Sequence, residues 1–250
     1  MSFRERLAAG KLLGLWQALA NPYTAEICAG AGYDWLLFDG EHAPNTLQTL
    51  LAQLQAVAPY PVEPIARVPV GEAAIIKQYL DMGFRTLLVP MMESAEQAAA
   101  VVAATRFPPH GVRGVASATS RASGFGARAT YLHEAGDDIC LIVQIESRVA
   151  LAAIDAIAGV AGVDALFVGP ADLAGSLGHL GDPGHAEVQA AIAHARDRAA
   201  VAAKPIGIFA TSPADARARL AAGFSFVSLG TDIGLLGRGA RQLLATATDA

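Results

Sequence analysis

The amino-acid sequence predicts a (β/α)8 barrel that forms one domain over residues 1–250. Eight short apolar runs, none alternating in polarity, are each followed by a helical pattern, as in a parallel sheet covered by helices. Eight such units in 250 residues match the usual length of this barrel, ~250 residues. The alternative is an open doubly wound sheet, in which a glycine-rich phosphate-binding turn typically follows the first strand. That place holds Trp16-Gln17-Ala18 instead.

The predicted strands are short runs rich in leucine, isoleucine, valine and phenylalanine, as expected for strands buried on both faces. In chain order they are Leu12–Gln17, Trp35–Phe38, Pro64–Val68, Thr86–Val89, Cys140–Ile145, Ala165–Val168, Pro205–Phe209 and Phe226–Leu229.

Alanine-rich segments with apolar residues every three or four positions lie between these runs and predict helices. They include Thr46–Val57, Glu72–Met82, Ser94–Thr105, Val149–Ile157, Ala186–Ala203 and Pro213–Ala222. Gly32, Gly83 and Gly223 follow three of the helices, where glycine suits the C-terminal cap. Two connections, residues 106–128 and 175–185, are long and glycine-rich, and such loops in a compact barrel are often functional.

Charge and hydropathy narrow the class of protein. The formal net charge is −5 and lysine occurs only at positions 11, 77 and 204, which argues against nucleic acid as a partner. No apolar run approaches the ~20 residues that span a membrane. The stretch Leu12–Ala20 loosely imitates a signal peptide, but Glu5 interrupts the basic region before it. We therefore predict a first strand there and a cytoplasmic protein.

Polar residues at the strand ends are the candidates for chemistry, because the active site of such a barrel lies at the C-terminal ends of its strands. They are Gln17, Asp39, Glu41, His42, Arg67, Gln144, Glu146, Asp172, Thr231 and Asp232. Gln144 and Glu146 stand two apart on one strand, so their side chains point the same way. Neighbouring strands lie ~4.8 Å apart, so Glu146 and Asp172 can converge on one cation.

Two carboxylates with water completing the shell suit a hard divalent metal, Mg²⁺ or Mn²⁺, with Co²⁺ as a further option. The alternative is that Glu146 and Asp172 each cap the helix that follows, since acidic side chains suit helix N-termini. The spacing of the two acids leaves both interpretations open.

His42 and Arg67 are the candidate base and the candidate anion-binding group. The strand-end position of His42 favours a general base, although a histidine in a loop is commonly just solvated. Arg67 lies in an apolar run and needs a partner, either a ligand oxyanion or a buried ion pair with Glu41 or Asp39. No lysine is predicted to point into the barrel, which argues against Schiff-base chemistry and favours a metal as electrophile.

Several strings of residues carry a resemblance that runs almost end to end. They include Gly40-Glu41-His42-Ala43-Pro44-Asn45, Leu141-Ile142-Val143-Gln144-Ile145-Glu146 and Gly169-Pro170-Ala171-Asp172-Leu173. On these residues the chain resembles the HpcH/HpaI aldolase family of metal-dependent pyruvate aldolases. The resemblance implies that Glu146 and Asp172 ligate the metal. It implies that Gln144 and the backbone around Ala171 and Asp172 hold pyruvate.

The same resemblance implies roles for three further residues. His42 would be the base and Arg67 would stabilise the oxyanion. Asp81, which reads as ordinary surface by pattern, would raise the basicity of His42. The resemblance also implies a hexamer of barrels in which the last helix is exchanged between subunits.

The activity implied is reversible cleavage of 4-hydroxy-2-oxo acids to pyruvate and an aldehyde, a carbon–carbon lyase reaction of aromatic-compound catabolism. A substrate such as 4-hydroxy-2-oxoheptane-1,7-dioate would give succinic semialdehyde, and a hydroxylated semialdehyde or lactaldehyde stays open as the aldehyde. Aldolases for sugar acids of the 2-dehydro-3-deoxy-glucarate or -rhamnonate type share the same strings. Two other classes compete: a lyase of coenzyme A thioesters, and a non-catalytic barrel that binds a dicarboxylate.

The residues that would bind the aldehyde are less constrained. The loop 115–128 and the strand end at Phe209 are expected to face it. Arg113 or Arg121 could bind a distal carboxylate, although loop arginines are more often solvated. The remaining histidines, at positions 110, 133, 179, 185 and 194, are expected to be structural or solvated.

Overall fold

Eight parallel strands close into a ring in the computed structural model, which describes residues 2–248. Each strand pairs with the next in chain order, and the first pairs with the last. They are β1 (Leu12–Gln17), β2 (Trp35–Asp39), β3 (Glu63–Arg67), β4 (Thr86–Val89), β5 (Cys140–Ile145), β6 (Ala165–Val168), β7 (Ile206–Phe209) and β8 (Phe226–Thr231). The predicted barrel is confirmed and the open sheet is excluded.

Twelve α-helices of the described residues surround or cap this ring. They are α1 (Phe3–Ala9), α2 (Pro22–Ala29), α3 (Leu47–Val57), α4 (Ala73–Met82), α5 (Ala95–Thr105), α6 (Tyr131–Glu134), α7 (Arg148–Ala152), α8 (Ile154–Ala158), α9 (Pro170–Ser176), α10 (Ala186–Val201), α11 (Pro213–Ala221) and α12 (Asp232–Thr248). The predicted domain, residues 1–250, includes Met1, Asp249 and Ala250, which lie outside the described residues, so its extent stays a prediction.

Most predicted strands and helices agree with the observed bounds to within two residues at each end, and two of the differences have a clear structural cause. The predicted helix Val149–Ile157 is two short helices, α7 and α8, because the backbone leaves the helical region at Ala153. The buried positions keep their helical spacing across that break, so the pattern reads as a single helix. β8 runs past its predicted end at Leu229, because the register with β1 shifts there and leaves Gly230, with φ of +126°, inside the strand.

The barrel interior is filled by large side chains that converge from several strands. Trp35 packs edge-on against Phe226, with ring centroids 5.9 Å apart. Glycines make room for these rings: a Cβ at Gly14 would lie 2.0 Å from the Trp35 ring, and one at Gly207 would lie 2.5 Å from the Phe226 ring. A second apolar cluster lies between the sheet and the surrounding helices. The sheet is therefore buried on both faces, as its non-alternating sequence predicts.

Helix α1 covers the end of the barrel at which the strands begin. Its Phe3 and Leu7 are buried in the same cluster as the interior rings. Arg4 pairs with Asp164 at 2.8 Å, and Arg6 pairs with Asp34 at 3.0 Å, so α1 is fixed beside the starts of β6 and β2. The opposite end, where the strands finish, stays open to solvent.

Helix α12 presents an apolar surface to solvent. Its side chains Ile233, Leu235, Leu236, Leu243 and Leu244 are each at least 46% exposed. Within residues 2–248, no helix combines the length and the apolarity needed to traverse a lipid bilayer.

Candidate active site

A cleft of about 430 Å³ opens at the C-terminal ends of the strands. Five of the predicted site residues line it, namely His42, Arg67, Gln144, Ala171 and Asp172. Glu146 is buried and touches Gln144 at the base of the same region. The remaining wall is mostly apolar and includes Trp16, Phe167, Pro170, Pro183 and Phe209. The rule that strand ends carry the chemistry therefore brings six separate predictions together.

Arg67 holds two acids at the floor of the cleft. Its Nε and Nη2 donate to the two carboxylate oxygens of Asp39 at 2.8 and 2.6 Å, and its Nη1 lies 2.9 Å from Glu41. The guanidinium also lies 5.1 Å from the centre of the Trp16 ring. Of the two partners that the sequence left open for Arg67, the ion pair with both Asp39 and Glu41 is present. A guanidinium has five N–H groups, so Arg67 keeps donors for a ligand in the cleft.

Asp39 fixes the loop that presents His42. Its Oδ1 accepts the backbone N–H groups of Glu41 and His42 at 3.0 and 3.2 Å. Burial disfavours the charged form of Asp39, but the hydrogen bond and charge of Arg67 outweigh it and lower the pKa of this carboxyl. The His42 side chain itself is 65% exposed, with its Nε2 3.9 Å from Glu41. The backbone of His42 is thus anchored while its ring is free to meet a ligand.

Gln144 and Glu146 point to the same side of the strand end, as their spacing predicts. The Gln144 amide Nε2 donates to Oε2 of Glu146. The other oxygen, Oε1, accepts the backbone N–H of Met91 at 2.8 Å. Met91 has a φ of +53°, in the left-handed region that a methionine seldom adopts, and this turn directs its N–H toward Glu146.

Glu146 has no cationic side chain within 4.0 Å among the described residues, unlike Asp39 and Glu41, which pair with Arg67. Burial, together with the charges of Asp172 and Glu41, raises the pKa of Glu146 to about 7 from an ordinary 4.5. Burial also raises the pKa of Glu41, although Arg67 opposes the shift. Buried Oε1 of Gln144 has no hydrogen-bond partner among the described residues. A side chain at Gly169 would put its Cβ 2.4 Å from Glu146 Oε2, so glycine keeps this space open.

This donor set fits a divalent cation. Two carboxylates, one with an elevated pKa, and an unpartnered amide oxygen lie in this region, and Gly169 leaves space beside Oε2 of Glu146. Oxygen ligands of this kind suit Mg²⁺ or Mn²⁺ better than softer metals. The alternative of simple helix caps does not account for Glu146, whose oxygens bond to Met91 and Gln144.

Asp81 lies apart from this cleft. It stands near the end of α4, where Arg113 donates to its Oδ1 at 2.7 Å. Among the described residues, the acid within 4.0 Å of the His42 ring is Glu41. The structure therefore does not bring Asp81 to His42, and its effect on that residue stays a prediction.

The loop arginines also lie elsewhere. Arg113 is buried and donates to the Tyr131 hydroxyl at 2.9 Å. With Arg121 and Arg128 it borders a separate pocket of about 350 Å³. No described residue of the loop 115–128 borders the cleft of this chain, and Arg121 of this loop donates to the Met82 carbonyl at the end of α4. Phe209 does border the cleft, and contact of either with the aldehyde stays a prediction.

The lysines follow the prediction. None of those in the described chain borders the cleft. Lys204 donates its Nζ to the Val163 carbonyl at 2.6 Å, at the end of the barrel opposite the cleft.

Fold and site together define an enzyme of the (β/α)8 class whose strand ends gather acids around an arginine and a histidine. The chain belongs to the HpcH/HpaI aldolase/citrate lyase family, whose model matches residues 12–238. This finding confirms the resemblance inferred from the sequence.

Relatives that cover nearly the whole chain support this membership. A protein of Deinococcus radiodurans named hydroxypyruvate/pyruvate aldolase is 55% identical over 249 residues, covering 99% of this chain and 90% of the relative. A Salmonella heidelberg protein named 4-hydroxy-2-oxo-heptane-1,7-dioate aldolase is 50% identical, covering 98% and 93%. The crystal structure of a family member from Burkholderia cenocepacia superposes with a TM-score of 0.95 at 43% identity, covering 98% of each chain. The prediction of a carbon–carbon lyase is confirmed at this level, since these relatives are named aldolases.

Proposed function

We propose that this protein is a metal-dependent aldolase that cleaves 4-hydroxy-2-oxo acids reversibly to pyruvate and an aldehyde. The observation that carries the proposal is one cleft in which Gln144, Glu146 and Asp172 face Arg67 and His42. The names of the relatives at 50–55% identity agree with it. Coenzyme A thioester lyases and non-catalytic barrels receive no comparable support.

Glu146 and Asp172 would hold the divalent cation, Mg²⁺ or Mn²⁺ with Co²⁺ as a further option. When bound, such a cation polarises a carbonyl and stabilises the negative charge that develops on its oxygen. The nearby Gln144 amide and the backbone around Ala171 and Asp172 would orient the keto acid. Glu146 must be ionised to act as a ligand, so its elevated pKa couples cation binding to the loss of a proton.

The chain's own polar groups would then carry the proton and charge movements. His42 would take the proton from the 4-hydroxyl of the substrate as the C3–C4 bond breaks and the aldehyde leaves. It would return that proton to C3 of the three-carbon fragment, which completes pyruvate. The free N–H groups of Arg67 would donate to the oxygen that becomes negative, and the apolar wall would limit access of water.

The aldehyde partner follows less directly from the cleft. Succinic semialdehyde, the first candidate aldehyde, carries a distal carboxylate. Of the described side chains that line the cleft, the basic ones are Arg67 and His42, and Arg67 already pairs with Asp39 and Glu41. A short hydroxylated aldehyde, which Thr211 and Thr231 could bind, is therefore a second candidate.

Metal removal tests the proposal directly. We expect a chelator to abolish pyruvate release from 4-hydroxy-2-oxoheptane-1,7-dioate and from a short 4,5-dihydroxy-2-oxo acid, and Mg²⁺ or Mn²⁺ to restore it. The ratio of kcat/KM for the two substrates identifies the preferred aldehyde. Borohydride with pyruvate should leave the enzyme active. Activity that survives chelation, together with irreversible loss on borohydride treatment, would indicate imine chemistry and contradict the proposal.

The variant His42→Ala tests the proposed base. We expect kcat to fall by ~10²–10⁴-fold, the usual contribution of a positioned acid–base group, while Mn²⁺ affinity stays unchanged. His133→Ala, which removes an exposed histidine on α6, is the matched control and should keep full activity. A His42→Ala enzyme that turns over at the wild-type rate would remove His42 as the base. Asp81→Asn in the same assay tests the more distant residue.

We further propose that the protein is a homo-oligomer, with a hexamer and an exchanged α12 as the expected form, and that it acts in the cytoplasm. The exposed apolar side chains of α12 support the assembly, because a surface of this kind is usually covered by protein. Replacing Leu236, Leu243 and Leu244 with serine should shift the mass measured by light scattering toward that of one chain. An unchanged mass would exclude α12 from the interface.

A further inference from the structure

We propose a second metal site, for Zn²⁺ or a similar nitrogen-preferring cation, formed by His179, His185 and Glu187. These residues lie outside the cleft: His179 is near the start of the loop between α9 and α10, His185 ends that loop, and Glu187 is on the first turn of α10. One potential ligand atom from each lies within 4.8 Å of the others. The proposal is independent of the function assigned to the cleft.

The two imidazole rings are already brought together. Their centroids are 3.5 Å apart with an interplanar angle of 17°, so they stack face to face. His179 Nε2 also lies 2.8 Å from Oε2 of Glu187. A tetrahedral zinc site with ligand distances of ~2.0–2.1 Å needs its ligand atoms ~3.3 Å apart. The two rings must therefore turn out of their stack, because the nitrogen lone pairs lie in the ring planes and have to aim at one cation.

Each ligand can change its present bond for a metal bond. A cation would replace the proton that His179 Nε2 and Glu187 share. His185 Nδ1 accepts the backbone N–H of Glu187 at 3.2 Å and caps α10, a long bond that a cation on the ring would displace. Arg148 is the facing cation, 3.9 Å from the Glu187 carboxylate, and its side chain is 63% exposed and able to move away.

The donor types separate this site from the cleft. Two imidazoles and one carboxylate form a set that zinc enzymes and zinc-binding proteins use, with water in the fourth position. The acids of the cleft offer oxygen alone and suit Mg²⁺ or Mn²⁺. A cation at His179 would also tie down the loop that carries Pro183, and Pro183 borders the cleft. The loop would then be fixed from its outer side.

The test is equilibrium dialysis of the full chain against micromolar Zn²⁺, in a Glu146→Gln background that removes the proposed cleft ligand. We expect one Zn²⁺ per chain. In the double variant Glu146→Gln/His179→Gln, the affinity for Zn²⁺ should fall by more than ~10–100-fold, the loss typical when a group outside the ligand shell is removed. His194→Gln, which removes an exposed histidine farther along α10, should change nothing.

A second readout keeps folding separate from binding. His179→Gln in the otherwise unchanged protein should keep its thermal midpoint without Zn²⁺ and should lose the rise in midpoint that Zn²⁺ produces in the parent. Equal zinc affinity in the parent and the His179→Gln protein would overturn the proposal, as would the absence of micromolar binding in the parent. In either case the contact between His179 and Glu187 is an ordinary surface hydrogen bond.

Discussion

Glu146→Gln is expected to abolish tight binding of Mg²⁺ or Mn²⁺ and to lower kcat by about 10³-fold or more. A Lewis-acid metal contributes several kcal/mol to carbonyl chemistry, and each ~1.4 kcal/mol is a factor of ten in rate. Glutamine keeps the size of the side chain and can still accept the N–H of Met91. Calorimetric titration with Mn²⁺ and the pyruvate-release assay measure the two losses.

The stability of the Glu146→Gln protein shows whether its loss of activity comes from lost cation binding or from misfolding. Because the folded pKa of Glu146, about 7, lies above its ordinary 4.5, the metal-free fold retains a proton that the unfolded chain releases. The metal-free wild-type protein should therefore lose stability as the pH rises from about 4.5 through about 7. The Glu146→Gln protein has no carboxyl at this position and should not lose stability over this pH range. Above about pH 7, its free energy of unfolding in urea should be at least that of the metal-free wild type.

Glu93→Gln is the matched control. Glu93 lies two residues beyond Met91, accepts the Ser147 hydroxyl at 2.6 Å and does not border the cleft. Its loss should leave Mn²⁺ affinity unchanged. If the Glu146→Gln protein bound Mn²⁺ with the wild-type affinity, Glu146 would not be a ligand of the cation.

Arg67→Met is expected to reduce both stability and turnover. Removing the guanidinium leaves the buried Asp39 and the half-buried Glu41 without their shared cation, and breaking a buried pair such as Arg67–Asp39 typically costs about 3–5 kcal/mol. The loss of an oxyanion donor typically lowers kcat by ~10²–10³-fold. Urea unfolding at neutral pH and kcat with saturating substrate measure the two effects separately.

The stability that the Arg67–Asp39 ion pair contributes depends on pH. The folded pKa of Asp39 is lowered, so its ion pair stabilises the wild-type fold above the ordinary value of 3.8 and is lost as the pH falls through the folded pKa. Arg67→Met should lack this contribution. The double variant Arg67→Met/Asp39→Asn should recover much of the stability but none of the activity. An Arg67→Met protein with unchanged urea midpoint and kcat would contradict both roles.

The sequence predicts the fold and most of the cleft because both depend on residue type and order. Apolar runs fix which segments are strands, and the closed parallel ring then fixes which ends meet. His42, Arg67, Gln144 and Asp172 stand at those ends, so their convergence follows. The break at Ala153 has no such signal, because the spacing of the buried residues is uninterrupted there.

What sequence reasoning misses depends on groups without a residue-type signature or on distances between loops. The N–H of Met91 that orients Glu146 belongs to the backbone, and any residue other than proline would offer it. Asp39 was a strand-end candidate, but its central position between Arg67 and the His42 loop appears once the hydrogen bonds are known. The stacking of His179 on His185 depends on how one loop folds back.

The junction of the two terminal strands carries a consequence for biosynthesis. β1 pairs with β8, and beyond it Asp232 accepts the backbone N–H groups of Ala18 and Leu19 at 2.8 and 3.2 Å. A nascent chain therefore cannot complete its sheet until residue 232 has left the ribosome. Until then β1 and β7 each present an unpaired edge, the kind of template on which chains aggregate. A polypeptide released just before β8 would contain seven of the eight strands and no closed sheet.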